Sequence, residues 1–220
     1  MKHGFLDRSV VIDGTAHRYQ VHPPADYQAD AKWPVILFLH GSGESGTDGV
    51  RPTQVGLGPA LSQYPQRYPA IAVFPQCPSQ RSGNAVFARI ALAALDQTLV
   101  EFNTDPARIY LTGLSMGGCA AWHIASQHPQ RFAALAVVCG WIADPDKGLV
   151  QRLAHLPVWI THGDADKVVP VKASRHAFAA LQAAGADVHY TELPGVDHNA
   201  WDPAYQSEPL PTWLFAQHRS

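Results

Sequence analysis

Cysteine is scarce in this sequence, and the cysteines that occur lack the spacing of a metal site or a disulfide framework. Among the 220 residues there are three, Cys77, Cys119 and Cys139, and none belongs to a CxxC motif. The twelve histidines form no HxH or HExxH motif, so the donor pairs that commonly bind zinc are missing. We therefore expect no metal site, and we interpret the cysteines as buried free thiols in a protein of a reducing compartment.

Long apolar runs and clusters of basic residues are missing as well. The N-terminal stretch MKHGFLDRSVVIDG lacks the apolar region of a signal peptide, and no segment approaches the roughly 18 apolar residues of a membrane span. Sixteen basic and 18 acidic residues give a formal charge of −2, without a run of lysine or arginine. These absences predict a cytoplasmic protein with no membrane or nucleic-acid partner. They leave the oligomeric state open, a homodimer included.

One glycine-rich motif lacks the context that a nucleotide-binding loop requires. The stretch LHGSGESG at 39–46 contains GxGxxG directly after the apolar run VILFL. A dinucleotide site needs a helix that opens at the third glycine and an acidic residue roughly 20 positions later. Gly46 is instead followed by TDGVRPTQVGLGP, and neither Asp nor Glu occurs between Asp48 and Asp96. The loop is therefore not predicted to bind a dinucleotide.

What the sequence does contain is an alternation of strand and helix patterns after an initial hairpin. The stretch VVIDGTAHRYQV predicts two antiparallel strands around a turn at Asp13-Gly14. Six runs rich in β-branched residues predict strands buried on both faces, as in a parallel sheet: VILFL (35–39), AIAVF (70–74), RIYLTG (108–113), LAVVCG (135–140), VWITHG (158–163) and VHYTEL (188–193). Apolar periodicity and helix-stopping residues predict helices over about 86–102, 117–128, 171–184 and 211–218.

This alternation predicts a single α/β domain over residues 1–220. We expect a mostly parallel central sheet with an N-terminal antiparallel hairpin and with helices on both faces. Only about 17 residues separate the strand that ends at Gly140 from the next one, too few for a helical cap domain. The site is therefore expected to be open, and its residues should lie at the carboxyl ends of the strands.

A GxSxG motif, formed by Gly113, Ser115 and Gly117, stands between a predicted strand and a predicted helix. This context is typical of the elbow that holds a nucleophilic serine in a sharp turn, which only small flanking residues tolerate. Ser115 would be exposed there, at the positive end of a helix. Because a serine hydroxyl is a poor nucleophile at neutral pH, it needs a base, and the base needs an acid.

Candidates for the base and the acid follow the last two predicted strands. His198, in PGVDHNAW, comes just past the last strand, at the sheet edge where the elbow lies. The segment THGDADKVVP after the preceding strand offers Asp164 and Asp166. We favour Asp166, and a helix N-cap is the competing interpretation for either. His40 and His162 each precede a glycine at a strand end, and we interpret them as residues that hold loops by hydrogen bonding.

Motifs along nearly the whole chain resemble those of the α/β-hydrolase superfamily. They run from LFLHGSGESGTDG through PQCP, DPARIYLTGLSMGG and HGDADKVVP to GVDHNAWDPAY. The chain is similar to short carboxylesterase and dienelactone-hydrolase-like members, including bacterial predicted peptidases and feruloyl-esterase-like proteins. In that family the order is Ser, Asp, His, which the resemblance carries to Ser115, Asp166 and His198. The family's acid is the Asp of HGxxDxxVP, which supports Asp166 over Asp164.

The resemblance also implies an oxyanion hole and neighbouring substrate contacts. The residue after the HG of the third-strand loop, here Ser42, would donate a backbone N–H, and Met116 after the nucleophile would donate the second. Glycines on both sides of Ser42 are expected to let the backbone turn these donors inward. Gly43, Trp141 and Trp201 are candidate substrate-binding residues, the tryptophans as an apolar wall or, alternatively, as core packing.

Together these residues predict a cofactor-free serine carboxylesterase. Its partner would be a small-molecule ester with a short-chain or aromatic acid, hydrolysed through an acyl-enzyme on Ser115. A serine peptidase or thioesterase of the same fold stays open, because a triad does not select the leaving group. A non-catalytic ligand-binding protein on a hydrolase fold is a third alternative, which the complete Ser/Asp/His set disfavours.

Overall fold

The centre of the protein is one eight-stranded sheet, seen in a computed structural model that describes residues 4–142 and 147–219. Its strands are Leu6–Ile12 (β1), Thr15–His22 (β2), Trp33–Leu39 (β3), Ile71–Pro75 (β4), Thr104–Leu114 (β5), Ala134–Val138 (β6), Val158–Gly163 (β7) and Val188–Leu193 (β8). They are arranged in the order β1-β2-β4-β3-β5-β6-β7-β8. The strand β2 is antiparallel to β1 and to β4, whereas β3 to β8 all run parallel.

Helices cover both faces of this sheet. In the described ranges they are Leu57–Gln63 (α1), Gly83–Glu101 (α2), Met116–Gln127 (α3), Lys147–Leu153 (α4), Lys172–Ala183 (α5), Trp201–Gln206 (α6) and Pro209–Ala216 (α7). Helices α2 to α5 pack over one apolar core, and α1, α6 and α7 pack over another on the opposite face. None of the helices within these ranges combines the length and the apolar character needed to cross a bilayer.

The strand β3 shows why the unbroken apolar runs predict a sheet buried on both faces. Val35, Leu37 and Leu39 belong to one core, and Ile36 and Phe38 belong to the other. Successive side chains of a strand point to opposite faces, so an apolar residue at every position satisfies both cores. The predicted α/β architecture is confirmed.

Several predicted boundaries are corrected by the structure. The strand β5 begins at Thr104, four residues before the predicted start at Arg108, because Thr104 pairs with Trp33 of β3; a register shift separates this pair from the continuous pairing that starts at Val35 and Ile109. The strand β8 is an edge strand in which every residue is at least partly exposed, so the expectation that both of its faces are buried is wrong. The sequence pattern also does not predict the short helices α1, α4 and α6.

The parallel strands bring their carboxyl ends to one edge of the sheet. The strand β3 lies between β4 and β5, so the connection after β3 leads to one side of it and the connection after β4 leads to the other side. Ligands bind in open α/β sheets at such a reversal of strand order. The turns after β3, β5 and β7 and the loop after β8 meet at this edge. Between β6 and β7 the described residues contain only α4, which agrees with the absence of a large cap.

Candidate active site

Ser115 occupies a strained turn between β5 and α3. Its φ is 52°, in the left-handed region that non-glycine residues rarely adopt. The Ser115 N–H donates to the carbonyl oxygen of Val138 at 2.9 Å, and the Ser115 carbonyl accepts the N–H of Cys119 at 3.1 Å. The turn is therefore bonded to β6 on one side and to the helix that follows it on the other, as in a nucleophile elbow. Ser115 is only 7% exposed, so the expectation that it is exposed is wrong: His198 and the loop after β3 pack against it.

The glycines on either side of Ser115 are required by space. A Cβ at Gly113 would lie 2.4 Å from the carbonyl oxygen of Gly117. A Cβ at Gly117 would lie 2.1 Å from the carbonyl oxygen of Leu39, at the end of β3. Both distances are far inside van der Waals contact, so the backbone of the elbow packs directly against the backbone of β3.

The three residues predicted as nucleophile, base and acid lie in one hydrogen-bonded line. The Nε2 atom of His198 is 2.9 Å from Ser115 Oγ, and its Nδ1 atom is 2.7 Å from Asp166 Oδ2. Because a carboxylate can only accept, Nδ1 carries the proton and donates it to Asp166. The Nε2 atom is then free to accept the hydroxyl proton of Ser115. The sheet thus brings together side chains that are 32 and 83 residues apart in the chain.

The carboxylate of Asp166 is fully buried but well supplied with donors. Its Oδ1 atom accepts the backbone N–H groups of Val168 and Val169, each at 2.8 Å. Burial acts to raise the pKa of Asp166, but the hydrogen bonds from His198 and from these two N–H groups outweigh it and hold the pKa below its usual range. The group is therefore negatively charged at neutral pH and can stabilise an imidazolium.

Asp164 and Trp201 contact different partners. The Oδ1 atom of Asp164 is exposed and accepts the N–H of Gly195 at 2.6 Å, so this carboxylate braces a loop and does not contact His198. The Trp201 ring packs edge-to-face against the His198 imidazole, with centroids 5.3 Å apart and planes at 89°. Trp201 therefore packs against the imidazole of His198, a contact that the two sequence interpretations of this residue do not include.

Of the two predicted oxyanion donors, Met116 directly follows Ser115 and Ser42 belongs to the loop after β3. Ser42 opens a short 3₁₀ turn and Met116 opens α3, so neither N–H has an acceptor within its own helix. A Cβ at Gly41 would lie 3.7 Å from the Ser115 Cβ, which places the loop after β3 directly beside the nucleophile. The expectation that these two N–H groups form an oxyanion hole stays a prediction.

The glycines that flank Ser42 do not act through backbone flexibility. Gly41 has an ordinary φ of −77°, but a Cβ there would lie 2.9 Å from Leu114 Cδ1. A Cβ at Gly43 would meet no atom within 4 Å. The expectation that glycine freedom turns the donors inward is therefore wrong: Gly41 packs closely against the Leu114 side chain, and the space beside Gly43 is open.

The comparison with known proteins agrees with this geometry. The sequence profile of the phospholipase/carboxylesterase family matches residues 63–207. The chain belongs to this α/β-hydrolase family. The order of strands and helices and the position of the GxSxG elbow in this carboxylesterase-family protein agree with the resemblance inferred from its motifs.

The relatives of this protein differ in how much of their own length the similarity covers. A thermostable esterase of known structure is 33% identical, with a TM-score of 0.86 over 98% of this chain and 63% of that one. Carboxylesterase SOBER1 from Arabidopsis thaliana is 27% identical over 110 residues, which are 49% of this chain and 48% of that protein. A ferulic acid esterase from Anaeromyces mucronatus shares the fold at 16% identity, with a TM-score of 0.69 over 93% of this chain and 88% of that one. The chain spans about half the length of curated relatives, 52% and 48% for two of them.

A buried histidine ties the loop that carries Ser42 to the segment after β4. The Nε2 atom of His40 accepts the Cys77 N–H at 2.9 Å, so the proton of the imidazole is on Nδ1, which donates to the Gly41 carbonyl oxygen at 2.6 Å. Burial lowers the pKa of His40 to about 4, so the ring stays neutral at physiological pH. The interpretation of His40 as a loop-holding residue is confirmed.

Gln76 makes a second connection to the same loop, and sequence reasoning missed it. This side chain is 2% exposed; its Nε2 atom donates to the Glu44 carbonyl oxygen at 2.8 Å and its Oε1 atom accepts the Gly49 N–H at 2.6 Å. The only signal in the sequence is a polar amide directly after the apolar strand β4, within PQCP. His40 and Gln76 thus hold the loop that carries Ser42 by hydrogen bonds at both ends of its 3₁₀ turn.

We expect the protein to lose stability on acidification as His40 becomes protonated. The folded-state pKa of about 4 lies below the ordinary value of 6.5, so this residue contributes stability above pH 6.5 that is lost as the pH falls toward 4. The full difference is at most about 3 kcal/mol. Urea unfolding at pH 7, 5.5 and 4.5 should show a smaller loss for His40→Gln than for wild type. An equal loss of unfolding free energy in His40→Gln and wild type would contradict this expectation. His218→Gln, at an exposed position, is the control.

A cavity of about 660 Å³ lies next to the turn that follows Asp166, and its lining is mostly apolar, with Lys172 and His176 as polar members. It borders Val168 and Val169, whose N–H groups hold Asp166, and Trp141 and Ile142, which follow β6. The structure therefore places the predicted residue Trp141 in a cavity wall, partly exposed. This cavity is large enough for a small acyl or aromatic group.

Cys139 is a potential metal ligand near the hydrogen bonds that join Ser115, His198 and Asp166. Its Sγ atom and the ligand atoms of Asp166 and His198 all lie within 4.8 Å of one another. Burial raises the pKa of the Cys139 thiol to about 12, so it is protonated at neutral pH, and the imidazole Nδ1 is already bonded to the carboxylate. The His198 and Asp166 side chains are thus hydrogen-bonded to each other. The expectation of no metal stays a prediction.

Proposed function

We propose that this protein is a serine carboxylesterase that hydrolyses short-chain or aromatic esters through an acyl-enzyme on Ser115. The observation that carries this proposal is the hydrogen-bonded line from Ser115 Oγ through both nitrogens of His198 to Asp166. Membership of the phospholipase/carboxylesterase family and the esterase names of its relatives support the same reaction class. The carboxylate of Asp166, whose pKa is held below its usual range, carries the negative charge that the reaction needs at neutral pH.

In the proposed reaction, the Nε2 atom of His198 accepts the Ser115 proton while Oγ attacks the ester carbonyl carbon. The carboxylate of Asp166 stabilises the resulting imidazolium. The negative charge that forms on the carbonyl oxygen is stabilised by the N–H groups of Ser42 and Met116, and loss of one such donor typically costs about 3 kcal/mol.

Collapse of the tetrahedral intermediate expels the alcohol and leaves an acyl-enzyme. The imidazolium of His198 returns its proton to the leaving alkoxide, so the alcohol departs neutral. Water then attacks the acyl group with His198 as base, and proton return to Ser115 releases the carboxylic acid. No cofactor is required at any step.

The proposed substrate range comes from the cavity beside the acid. Its apolar lining suits an aliphatic chain of a few carbons or an aromatic ring that packs against Trp141. The ferulic acid esterase among the structural neighbours acts on an aromatic ester, but its 16% identity shows the fold alone. The aromatic part of the proposal therefore depends on Trp141.

We expect Trp141→Ala to change the substrate profile more than the overall activity. Because the indole is partly exposed and lines the cavity, its loss should lower kcat/KM for p-nitrophenyl octanoate and methyl cinnamate by about tenfold. Hydrolysis of p-nitrophenyl acetate, whose short acyl group offers little apolar surface to pack against the indole, should change by less than about threefold. A panel of p-nitrophenyl esters of increasing chain length measures both effects.

Trp33→Ala is the matched control for this panel. Trp33 begins β3, at the opposite edge of the sheet from Ser115, so any loss it causes reports general destabilisation. A profile that falls equally for acetate and cinnamate in Trp141→Ala would contradict the assignment of Trp141 to the substrate site. Failure of the wild-type protein to hydrolyse any member of the panel would contradict the proposed function itself.

A further inference from the structure

A second histidine contacts the carboxylate that orients His198. His162 lies near the end of β7, is fully buried, and places its Nε2 atom 3.1 Å from Asp166 Oδ2. The same atom is 3.0 Å from the carbonyl oxygen of Val169, and the Nδ1 atom is 2.7 Å from Ser174 Oγ on α5. The imidazole thus connects the acid to a neighbouring helix.

The partners of this ring determine its tautomer. A carboxylate oxygen and a carbonyl oxygen can only accept, so the Nε2 atom of His162 carries a proton and shares it between Asp166 and Val169. The hydroxyl of Ser174, 2% exposed, faces the other nitrogen. Every polar atom of the ring therefore has a buried partner, which fixes the ring in one orientation.

With this contact, each oxygen of the Asp166 carboxylate accepts two N–H groups. The Oδ1 atom accepts those of Val168 and Val169, and the Oδ2 atom accepts those of His198 and His162. Rotation of the carboxylate would break several of these bonds at once. The donor from His162 also draws electron density from the oxygen atom that His198 uses.

We propose that His162 is a positioning residue for ester hydrolysis: its Nε2–H holds Asp166 Oδ2 within reach of His198 and sets the pH above which His198 acts as a base. The idea rests on the proposed function, because it takes Asp166 and His198 as the acid and the base. Removing the donor should leave more negative charge on Oδ2 for the imidazolium. The acid limb of the pH–rate profile should then move to higher pH.

Other ionisable groups near this contact keep one charge state across the assay range. Cys139, which follows β6, remains a thiol because burial raises its pKa to about 12. Glu192 on β8 is paired in register with His162, and hydrogen bonds from Arg175 and Tyr190 lower the pKa of this carboxyl to about 2. A shift of the profile between pH 5 and 9 therefore cannot come from either group.

Two substitutions of His162 by amide side chains test the effect of the Nε2–H donor separately from the effect of the volume of the imidazole ring. In His162→Gln, the amide nitrogen can reach the position of the imidazole Nε2 and restore the bond to Asp166. In His162→Asn, the shorter amide reaches only the Nδ1 position, on the Ser174 side. We expect His162→Asn to lower kcat/KM for p-nitrophenyl acetate by about tenfold and to move the acid limb up by about 0.5 to 1 pH unit. His162→Gln should stay within about threefold of wild type with an unmoved profile.

Equal losses in both variants, with an unmoved profile and a drop that follows melting temperature, would overturn the proposal in favour of a purely structural role. If His162→Asn fails to fold, Ser174→Ala removes only the partner of Nδ1 and should move the acid limb in the same direction by less. An unmoved limb there would also overturn it. The low-field proton NMR signal of the Asp166–His198 hydrogen bond should shift in His162→Asn whether or not esters are hydrolysed. This signal separates failure of the positioning role from failure of the proposed function.

Discussion

Ser115→Ala should lower kcat for p-nitrophenyl acetate by a factor on the order of 10⁴ or more. The substitution removes the only atom that His198 Nε2 can activate in the hydrogen-bonded line, so the acyl-enzyme cannot form. Members of a triad act as a unit, and loss of the nucleophile alone removes nearly all of the rate that the unit supplies. The fold should be unaffected, because alanine is compatible with the space that Ser115 occupies.

Two measurements make this result specific to the proposed nucleophile. A fluorophosphonate probe should label wild-type protein on the peptide that contains Ser115 and should leave Ser115→Ala unlabelled. Ser126→Ala is the matched control, since Ser126 is a buried serine of the same helix whose hydroxyl bonds only to the His123 carbonyl oxygen. Ester hydrolysis by Ser115→Ala at a rate near that of wild type would show that the assignment is wrong.

Asp166→Asn should lower kcat by about 10³-fold to 10⁴-fold, whereas Asp164→Asn should retain most activity. An asparagine at 166 can present an NH₂ group to His198 Nδ1, which favours the tautomer that cannot accept the Ser115 proton. An asparagine at 164 can still accept the Gly195 N–H through its Oδ1 atom. The two variants remove the same charge from the same turn, so each serves as the other's control.

The outcome is read from kcat with a single ester together with thermal melting of each variant. Fully buried Asp166 makes four hydrogen bonds, so its variant should also melt at a lower temperature, whereas the exposed variant at 164 should not. Activity lost in Asp164→Asn and kept in Asp166→Asn would reverse the choice of acid. Lower thermal stability alone cannot account for a 10³-fold loss of kcat that is measured well below the melting temperature of the variant.

The nucleophile could be predicted from sequence because its signal is local. The residues that form the elbow stand within five positions of one another, Gly113 to Gly117, and strand and helix patterns flank them directly. The acid and the base required one additional rule, that parallel strands end at the same edge of a sheet. That rule placed His198 near Ser115, and Asp166 was favoured over Asp164 before the family resemblance supported the same choice.

Other parts of the site depend on contacts that no local pattern records. Gln76 bonds to Glu44 and Gly49 in a distant loop, and nothing in its neighbourhood specifies these partners. The sequence predicts that His162 holds a loop by hydrogen bonding, but not that its Nε2 atom faces the Asp166 carboxylate. The short helix α1 contains Gly58 and Pro59, and α6 contains Pro203, so neither presents a sustained apolar period of 3.6 residues. Tertiary packing, not local propensity, stabilises helices of this length.

The contact between the elbow and β3 has a consequence for how such a site can evolve. Beside Ser115, backbone packs on backbone, and a Cβ at Gly117 would overlap the Leu39 carbonyl oxygen, so position 117 offers no side chain that could be exchanged to reshape that wall. The wall formed by Trp141 and Val168 consists of partly or largely exposed side chains, which can be exchanged one at a time. Adaptation to new substrates is therefore expected to accumulate on the Trp141 side, while the nucleophile side remains invariant in shape.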